Sequence, residues 1–298
     1  MQAKFVLSCE STVDLPFSYV SERNIPVIFY SYTINGKEYV DDMLRNPEAL
    51  PQFYQFLEED KLPSTSQINE FNYLNFFEQQ LQHGDLLHIA FGSGMTQSVR
   101  NAELAADELR EKYPERKIIV IDSLCSSSGY GMLVDYAADM RDKGCTMEEI
   151  ERWVIDNRQN IHHQFFSTEL KHYRRSGRMS GATAMVATVL GICPIMRLDD
   201  KGRIIAYGKV RGKPWTQWKR MRKAAEITQE SALFVTLNAY RTPKKRRLLY
   251  WNGFPTSKVM FVLLILERSL RLIADQVQLQ FSSWATREHL NKRAHLYG

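Results

Sequence analysis

Residues 117–122, Lys-Ile-Ile-Val-Ile-Asp, constrain the fold more than any other stretch, because both of their faces are apolar. A strand of this kind is buried on both sides, as in a parallel sheet covered by helices. A second apolar run, residues 86–91, leads into a helical pattern over residues 99–113. Residues 1–160 alternate strand and helix, which predicts an α/β fold with a mainly parallel sheet and helices on both faces. Residues 161–298 are predicted to form a second, smaller and incomplete α/β domain.

Turns rich in hydroxyl groups follow these strands. Gly92-Ser93-Gly94 ends one strand, and Ser123 follows the next. Ligands of parallel sheets bind beyond the carboxyl ends of the strands, so the turns are expected to converge. Backbone N–H groups in a glycine turn before a helix favour negative charge. This edge of the sheet is therefore predicted to bind an anion.

A third hydroxyl cluster, Ser64-Thr65-Ser66, follows Pro63 and precedes a predicted helix over residues 70–81. Two interpretations are open for this loop. One hydroxyl caps the helix, as Ser and Thr commonly do, or the hydroxyls face a ligand.

A basic segment contains Arg174, Arg175 and Arg178 around Ser176-Gly177. Arginines cluster more often on solvated surfaces than in binding sites. Arg178 is the best candidate of the three for a fixed position, because glycines on both sides favour a turn there.

Local patterns predict further elements along the chain. They are a strand over residues 26–32, a hairpin about Asn35-Gly36, a glycine-rich turn over residues 123–131 before a helix over residues 132–143, a capping box of Thr146 and Glu149, a helix over residues 182–190 and a hairpin at residues 199–202.

Composition argues against several classes of protein. The hydrophobic fraction of 44% is typical of a soluble globular protein. The longest apolar run, residues 259–266, is far shorter than the roughly 20 residues of a membrane span, and no signal peptide is expected. The four cysteines form no CxxC pair, which predicts neither a metal site nor a disulfide framework and fits the cytoplasm.

Enzyme motifs are also missing from the pattern. No GxGxxG follows the first strand, and no GxSxG elbow is present, so dinucleotide chemistry and serine hydrolysis are not favoured. His162 and His163 would face opposite sides of a strand, which makes a shared metal unfavourable. A different small-molecule α/β enzyme stays open as an alternative.

Four motifs in order, Pro-Ser-Thr-Ser-Gln at 63–67, Phe-Gly-Ser-Gly at 91–94, Ile-Asp-Ser at 121–123 and Tyr-Arg-Arg-Ser-Gly-Arg at 173–178, resemble the DegV family of bacterial fatty-acid-binding proteins. The resemblance extends to about residue 213. It implies a two-domain α/β carrier, not an enzyme, that encloses one long-chain fatty acid. The acid is presented to a separate fatty acid kinase, which converts the carboxylate to an acyl phosphate.

The resemblance also assigns roles to residues. Thr65 and Ser93 hold the carboxylate, and the acyl chain lies in an apolar tunnel. No cofactor is implied beyond the bound fatty acid. The complete set of candidate binding residues is Ser64, Thr65, Ser66, Gly92, Ser93, Gly94, Ser123 and Arg178.

The resemblance stops after residue 213. Residues 214–298 contain 15 Lys and Arg against 5 Asp and Glu, whereas residues 1–213 contain 24 against 29. The family's closing motif, His-[Thr/Ser/Cys]-Gly-Pro-Gly-Thr, is absent from this basic stretch. Reading its codons one base earlier allows residues 268–285 to encode TVIAAHSGPGTVAVLFLG, which contains that motif. The sequence therefore predicts a frameshift near residues 213–214.

The alternative interpretation of residues 214–298 is a genuine basic tail that binds nucleic acid. We do not favour it, because the sequence pattern of this tail matches no known nucleic-acid-binding module.

Overall fold

The computed structural model describes residues 5–167, 177–178, 192–211, 232–238 and 259–266. The chain divides into two units, Met1–Ile265 and Leu266–Gly298, and all described residues except Leu266 belong to the first. The predicted helix over residues 182–190 lies outside the described residues, as does most of the basic stretch. The predicted domain boundary at residue 160 stays a prediction.

The regular elements follow one another along the chain, with short 3₁₀ turns at Ser11–Val13 and Arg158–Asn160. The strands are β1 (Phe5–Glu10), β2 (Val27–Ile28), β3 (Ser31–Ile34), β4 (Lys37–Val40), β5 (Ser64–Thr65), β6 (Asp85–Ala90), β7 (Ile118–Asp122), β8 (Ile161–Ser167), β9 (Ile192–Leu198), β10 (Ile204–Arg211), β11 (Ala232–Asn238) and β12 (Val259–Leu266). The helices are α1 (Phe17–Glu22), α2 (Ala49–Glu58), α3 (Glu70–Leu81), α4 (Ser98–Lys112), α5 (Ser127–Asp142) and α6 (Met147–Asn157).

The first sheet has the order β2-β1-β6-β7, and its strands are parallel. Leu86 and Ile118 pack in one apolar cluster with Phe77 of α3 and Leu109 of α4. Neighbouring side chains such as Leu87 point to the opposite face and are equally buried. On that face α5 and α6 contact β1 and β7. The predicted α/β fold with helices on both faces is confirmed.

Strands β3, β4 and β5 form a separate, small antiparallel sheet with the order β4-β3-β5. Its hairpin turns at Asn35 and Gly36, whose φ angles of 51° and 79° are the positive values that this pair tolerates. The prediction of one continuous strand over residues 26–32 is wrong. The segment divides between β2, which pairs with β1, and β3, which pairs with β4 and β5.

A second main sheet has the order β10-β9-β8-β12-β11. The pairs β8–β9, β9–β10 and β11–β12 are antiparallel. The predicted hairpin at residues 199–202 joins β9 to β10, and Gly202 adopts a φ of 69°. No helix among the described residues is both long and apolar enough to cross a membrane.

Helix α5 begins at Ser127 rather than near residue 132, which corrects the sequence-based boundary. Gly129 and Gly131 lie inside this helix, although they suggested a turn. A Cβ atom at Gly129 would overlap the ring of His163, and one at Gly131 would lie 2.5 Å from the carbonyl oxygen of Val13. Close packing, not turn geometry, therefore explains these two glycines.

Candidate functional site

The turn Gly92-Ser93-Gly94 directs backbone N–H groups into the protein. Gly92 N–H donates to the carbonyl oxygen of Cys125 at 3.0 Å, and Ser93 N–H donates to Oδ1 of Asp122 at 3.0 Å. Helix α4 begins several residues after the turn, so its N-terminus does not coincide with Ser93. Two of the N–H groups that the sequence pattern assigned to a ligand are thus bound within the protein, and the anion site at this turn stays a prediction. What the turn offers a ligand is the partly exposed side chain of Ser93.

Close backbone contacts hold this turn against two neighbours. A Cβ atom at Gly94 would overlap the carbonyl group of Gly202 in the β9–β10 hairpin. A Cβ atom at Gly92 would lie 2.7 Å from the carbonyl oxygen of Cys125, and one at Gly202 would lie 2.8 Å from the carbonyl oxygen of Leu124. Three turns from distant parts of the sequence therefore meet here, and any larger residue at Gly94 would separate them.

Asp122 joins two of these turns. Its Oδ1 accepts hydrogen bonds from the N–H groups of Ser93 and Leu124, both at 3.0 Å. Leu124 has a φ of 51°, an unusual value for a large side chain that costs about 1 kcal/mol or more. Asp122 therefore helps to hold a strained backbone and to fix the position of Ser93.

A separate pair of side chains holds the segment that follows Thr65. Ile68 N–H donates to Oγ of Ser98 at 3.1 Å, and Nδ2 of Asn101 donates to the carbonyl oxygen of Ile68 at 2.7 Å. Ser98 is fully buried at the start of α4, and its Oγ lies 2.9 Å from Oγ1 of Thr96. Both polar groups of one peptide segment are thus bound to the helix that follows the Ser93 turn.

Ser64 and Thr65 form the two-residue strand β5, which pairs with Tyr32 and Thr33 of β3. Their side chains are exposed, as is that of Ser66. The interpretation in which one of these hydroxyls caps α3 is wrong, because the Asn69 side chain accepts from Asn72 N–H in that role. The three hydroxyls remain free of that structural task, which favours the ligand-facing interpretation without testing it.

Ser123 uses its hydroxyl within its own turn. Its Oγ accepts from Cys125 N–H at 3.2 Å and lies 3.4 Å from the Cys125 carbonyl oxygen. The side chain is fully buried. A direct contact with a ligand stays a prediction for Ser123, and the observed contacts favour a role in shaping the turn.

Two arginines bind carbonyl groups around the site. Nε of Arg178 donates to the carbonyl oxygen of Met95 at 3.2 Å, directly after the Ser93 turn. Nη1 of Arg158 donates to the carbonyl oxygen of Asp122 at 2.6 Å. Both arginines therefore place positive charge beside these turns.

His163 links β8 to the start of α5. Its Nε2 lies 3.2 Å from Ser126 N–H, and its Nδ1 lies 3.2 Å from the Ile161 carbonyl oxygen. Burial lowers the pKa of His163 to about 4, so the ring is neutral at pH 7. Nε2 also lies 3.1 Å from the Ser126 carbonyl oxygen. A neutral ring with one N–H can donate to the carbonyl oxygen of Ile161 or of Ser126, and these backbone contacts indicate a structural role for this histidine.

The described residues contain no group of three or more His, Cys, Asp or Glu side chains arranged to hold a metal ion. Cys9, Cys125 and Cys145 are free. Burial raises the pKa of the Cys9 and Cys125 thiols well above its ordinary value, which keeps both protonated and unreactive at neutral pH.

Known proteins are similar to this chain in sequence and in architecture. The family model described as "Uncharacterised protein, DegV family" matches residues 4–241, which extends beyond residue 213, where the sequence pattern placed the end of the resemblance. The chain belongs to the DegV family. A DegV domain-containing protein of Clostridium perfringens is 34% identical over 212 residues, which cover 70% of this chain and 72% of that protein.

Solved structures of DegV proteins have the same fold. A DegV family protein from Thermus thermophilus, whose structure is described by its fatty acid binding, is 26% identical, with a TM-score of 0.68. That match covers 79% of this chain and 82% of the other. A DegV protein from Bacillus subtilis matches at a TM-score of 0.69 and 18% identity, over 89% of this chain and all of the other. The second likeness concerns the fold alone.

Sequence reasoning missed the residues that support the candidate hydroxyls, namely Asn101, Ser98, Asp122 and Arg158. Asn101, Ser98 and Arg158 stand in no motif that suggests binding, and their partners are distant in sequence. Asp122 lies in the Ile-Asp-Ser motif, but nothing in the local sequence indicated that its side chain accepts a hydrogen bond from the Ser93 N–H.

Proposed function

We propose that this DegV family protein binds one long-chain fatty acid and presents its carboxylate to a separate fatty acid kinase. The carboxylate accepts hydrogen bonds from Thr65 and Ser93, and the acyl chain lies in an apolar tunnel. The observation that carries this proposal is the Ser93 turn, where Ser93 is partly exposed while the Gly92 and Ser93 N–H groups are bound internally. Fatty acid binding by the DegV relative from Thermus thermophilus supports the choice of ligand.

The chemistry of the site suits such a ligand. Hydroxyl donors to a carboxylate form charge-assisted hydrogen bonds, and no buried lysine is needed. Arg158 and Arg178 add positive charge near the turn. Each methylene of the acyl chain that leaves water contributes about 0.8 kcal/mol. The polar head therefore sets orientation, and the chain supplies most of the affinity.

We infer a carrier role rather than catalysis at this site. Conversion of the carboxylate to an acyl phosphate requires a phosphoryl donor, which the separate kinase supplies in this proposal. The buried, protonated Cys9 and Cys125 offer no nucleophile. The hydroxyls of Thr65 and Ser93 act as donors to the ligand and do not themselves react.

The basic stretch bears on how well the carrier works. We propose that the frame changes near residues 213–214, so the segment that closes the ligand head in the family is replaced. A weakened affinity for fatty acid and a lower solubility follow from this. The coding sequence tests the proposal directly, because stop codons in the earlier frame, or a reading without the His-Ser-Gly-Pro-Gly-Thr motif, would overturn it.

The binding function is tested by titrating the full chain with oleate and by native mass spectrometry of the freshly purified protein. Thr65→Val and Ser93→Ala should each raise the Kd roughly 10- to 100-fold, the loss of one charge-assisted hydrogen bond. Ser18→Ala removes an exposed hydroxyl on α1 and serves as the control. A parent chain that binds oleate no better than the Thr65→Val/Ser93→Ala double variant would refute the proposed function.

A further inference from the structure

We propose that Asn101 is a positioning residue for Thr65. It holds the loop of residues 62–68 in the geometry in which the Thr65 hydroxyl meets the fatty acid carboxylate. This inference rests on the proposed function and adds to it a residue that contacts no ligand. Ser98 assists from the same turn of α4.

The two side chains bind opposite ends of one residue. Asn101 donates to the carbonyl oxygen of Ile68 at 2.7 Å, while Ser98 accepts from the Ile68 N–H at 3.1 Å. The Ile68 side chain is 4% exposed and belongs to the apolar cluster between α3, α4 and the first sheet. Ile68 is therefore fixed by two hydrogen bonds and by packing.

Thr65 lies three residues earlier and has little support of its own. Its side chain is exposed, and β5 contributes only two residues to the small sheet. Pairing with Tyr32 holds Thr65 on one side, and the fixed Ile68 holds the loop on the other. In a loop with only one anchored end, the Thr65 hydroxyl would sample many orientations, and the entropy lost on ordering it would weaken binding.

The same two hydrogen bonds also fix the position of the loop relative to Ser93. Asn101 and Ser98 belong to the helix that directly follows the Ser93 turn. The two candidate donors therefore share one rigid support, although about 30 residues of sequence separate them. Loss of the Asn101 contact is expected to misplace Thr65 and to leave Ser93 unaffected.

The substitution Asn101→Asp tests the contact with almost no change in volume. A carboxylate cannot donate, so its oxygen would face the Ile68 carbonyl oxygen and repel it. Asn101→Leu removes the donor without adding charge and guards against an effect of charge alone. Asn72→Asp is the matched control, because Asn72 is exposed on α3 and its side chain makes no hydrogen bond with the part of the chain that the structure describes.

The decisive measurement is a double-mutant cycle on the oleate Kd of the full chain. Asn101→Asp should raise the Kd about tenfold in the parent and in the Ser93→Ala background, but less than twofold in the Thr65→Val background. A merely structural role would give the same factor in all three. An equal factor in the Thr65→Val background, or an unchanged Kd in the parent, overturns the inference.

Amide hydrogen exchange supplies a second readout that needs no ligand. Asn101→Asp should speed exchange of the residue 64–68 amides at least tenfold and leave those of residues 92–95 unchanged. Unchanged exchange in the loop overturns the inference. Failure of the proposed function looks different, since Thr65→Val would then leave the oleate Kd unaltered while the loop amides still respond to Asn101→Asp.

Discussion

The two segments that carry the candidate carboxylate ligands are built in opposite ways. The turn at residues 92–94 is pressed against the turn at Leu124 and against Gly202, with no room for even one added methyl group. The loop at residues 64–66 is exposed and rests on a two-residue strand. One donor is therefore part of a packed junction, and the other is held at a distance through Ile68.

This difference predicts different energetic roles. A hydroxyl on a packed turn is ordered before the ligand arrives, so its hydrogen bond is gained at little entropic cost. A hydroxyl on an exposed loop keeps more conformational freedom, even where Ile68 anchors the loop, so part of its ordering takes place during binding. Ser93 is thus expected to contribute more than Thr65 to the affinity for fatty acid. The Thr65 loop is expected to tolerate changes in the position of the ligand's carboxylate.

The largest effect is expected from Gly94→Ala. The added Cβ would overlap the backbone carbonyl group of Gly202, and neither backbone can move without separating the turns. We expect a loss of about 3 kcal/mol or more in the free energy of unfolding, measured by urea denaturation. Gly208→Ala is the control, since its Cβ would meet Ile195 at 3.7 Å, an ordinary contact. Equal losses in the two variants would show that the junction is not tightly packed.

The contrast also explains what the sequence could predict. Local patterns located the strands that became β6 and β7, the hairpin at Asn35-Gly36 and the capping box of Thr146 and Glu149. Each of these depends on neighbours within a few residues. The parallel direction of the strands, but not their order in the sheet, followed from the same alternation, because crossover helices join parallel strands.

Contacts between distant residues were not predictable in this way. Nothing near Gly94 indicates that Gly202 lies against it, and nothing near Asn101 indicates its bond to Ile68. The start of α5 was misplaced for a related reason. Gly129 is needed because the ring of His163, on strand β8, packs against it, and not because the chain turns there. The residues of the candidate site could be named from motifs, but their supports depend on tertiary structure.

A pH dependence is expected on the packed side. Burial lowers the pKa of His163 to about 4 in the folded state, against about 6.5 in an unfolded chain. As the pH falls from 6.5 towards 4, the unfolded chain binds a proton that the folded protein does not, so stability falls. The loss approaches about 3 kcal/mol near pH 4 and grows no further below it.

The measurement is urea denaturation of the parent and of His163→Gln between pH 4 and pH 7. The glutamine cannot take up a proton, so its stability should vary less over this range, although it is less stable at pH 7. An identical slope in His163→Gln and the parent would contradict the assignment of this pH dependence to His163.

A smaller effect is expected at Asp122. Asp122→Ala leaves the N–H groups of Ser93 and Leu124 without their acceptor, which should cost about 1–3 kcal/mol of stability. Asp122→Asn keeps an oxygen in the same place and should cost less. Because it also removes a negative charge beside the proposed carboxylate, Asp122→Asn should tighten oleate binding while Asp122→Ala weakens it. Weaker binding in both variants would indicate that the charge of Asp122 does not act on the ligand.

The smallest effects on stability are expected in the exposed loop, where Ser64→Ala and Ser66→Ala should each change the free energy of unfolding by less than about 0.5 kcal/mol. Neither residue caps α3, because Asn69 does so. Any change in oleate Kd for these variants would therefore report on the ligand and not on the fold. If Ser64→Ala or Ser66→Ala weakens binding as much as Thr65→Val does, the loop offers interchangeable donors. A clear preference for Thr65 would instead mean that the anchoring of Ile68 selects one hydroxyl, so even the exposed side of the comparison would be ordered in advance.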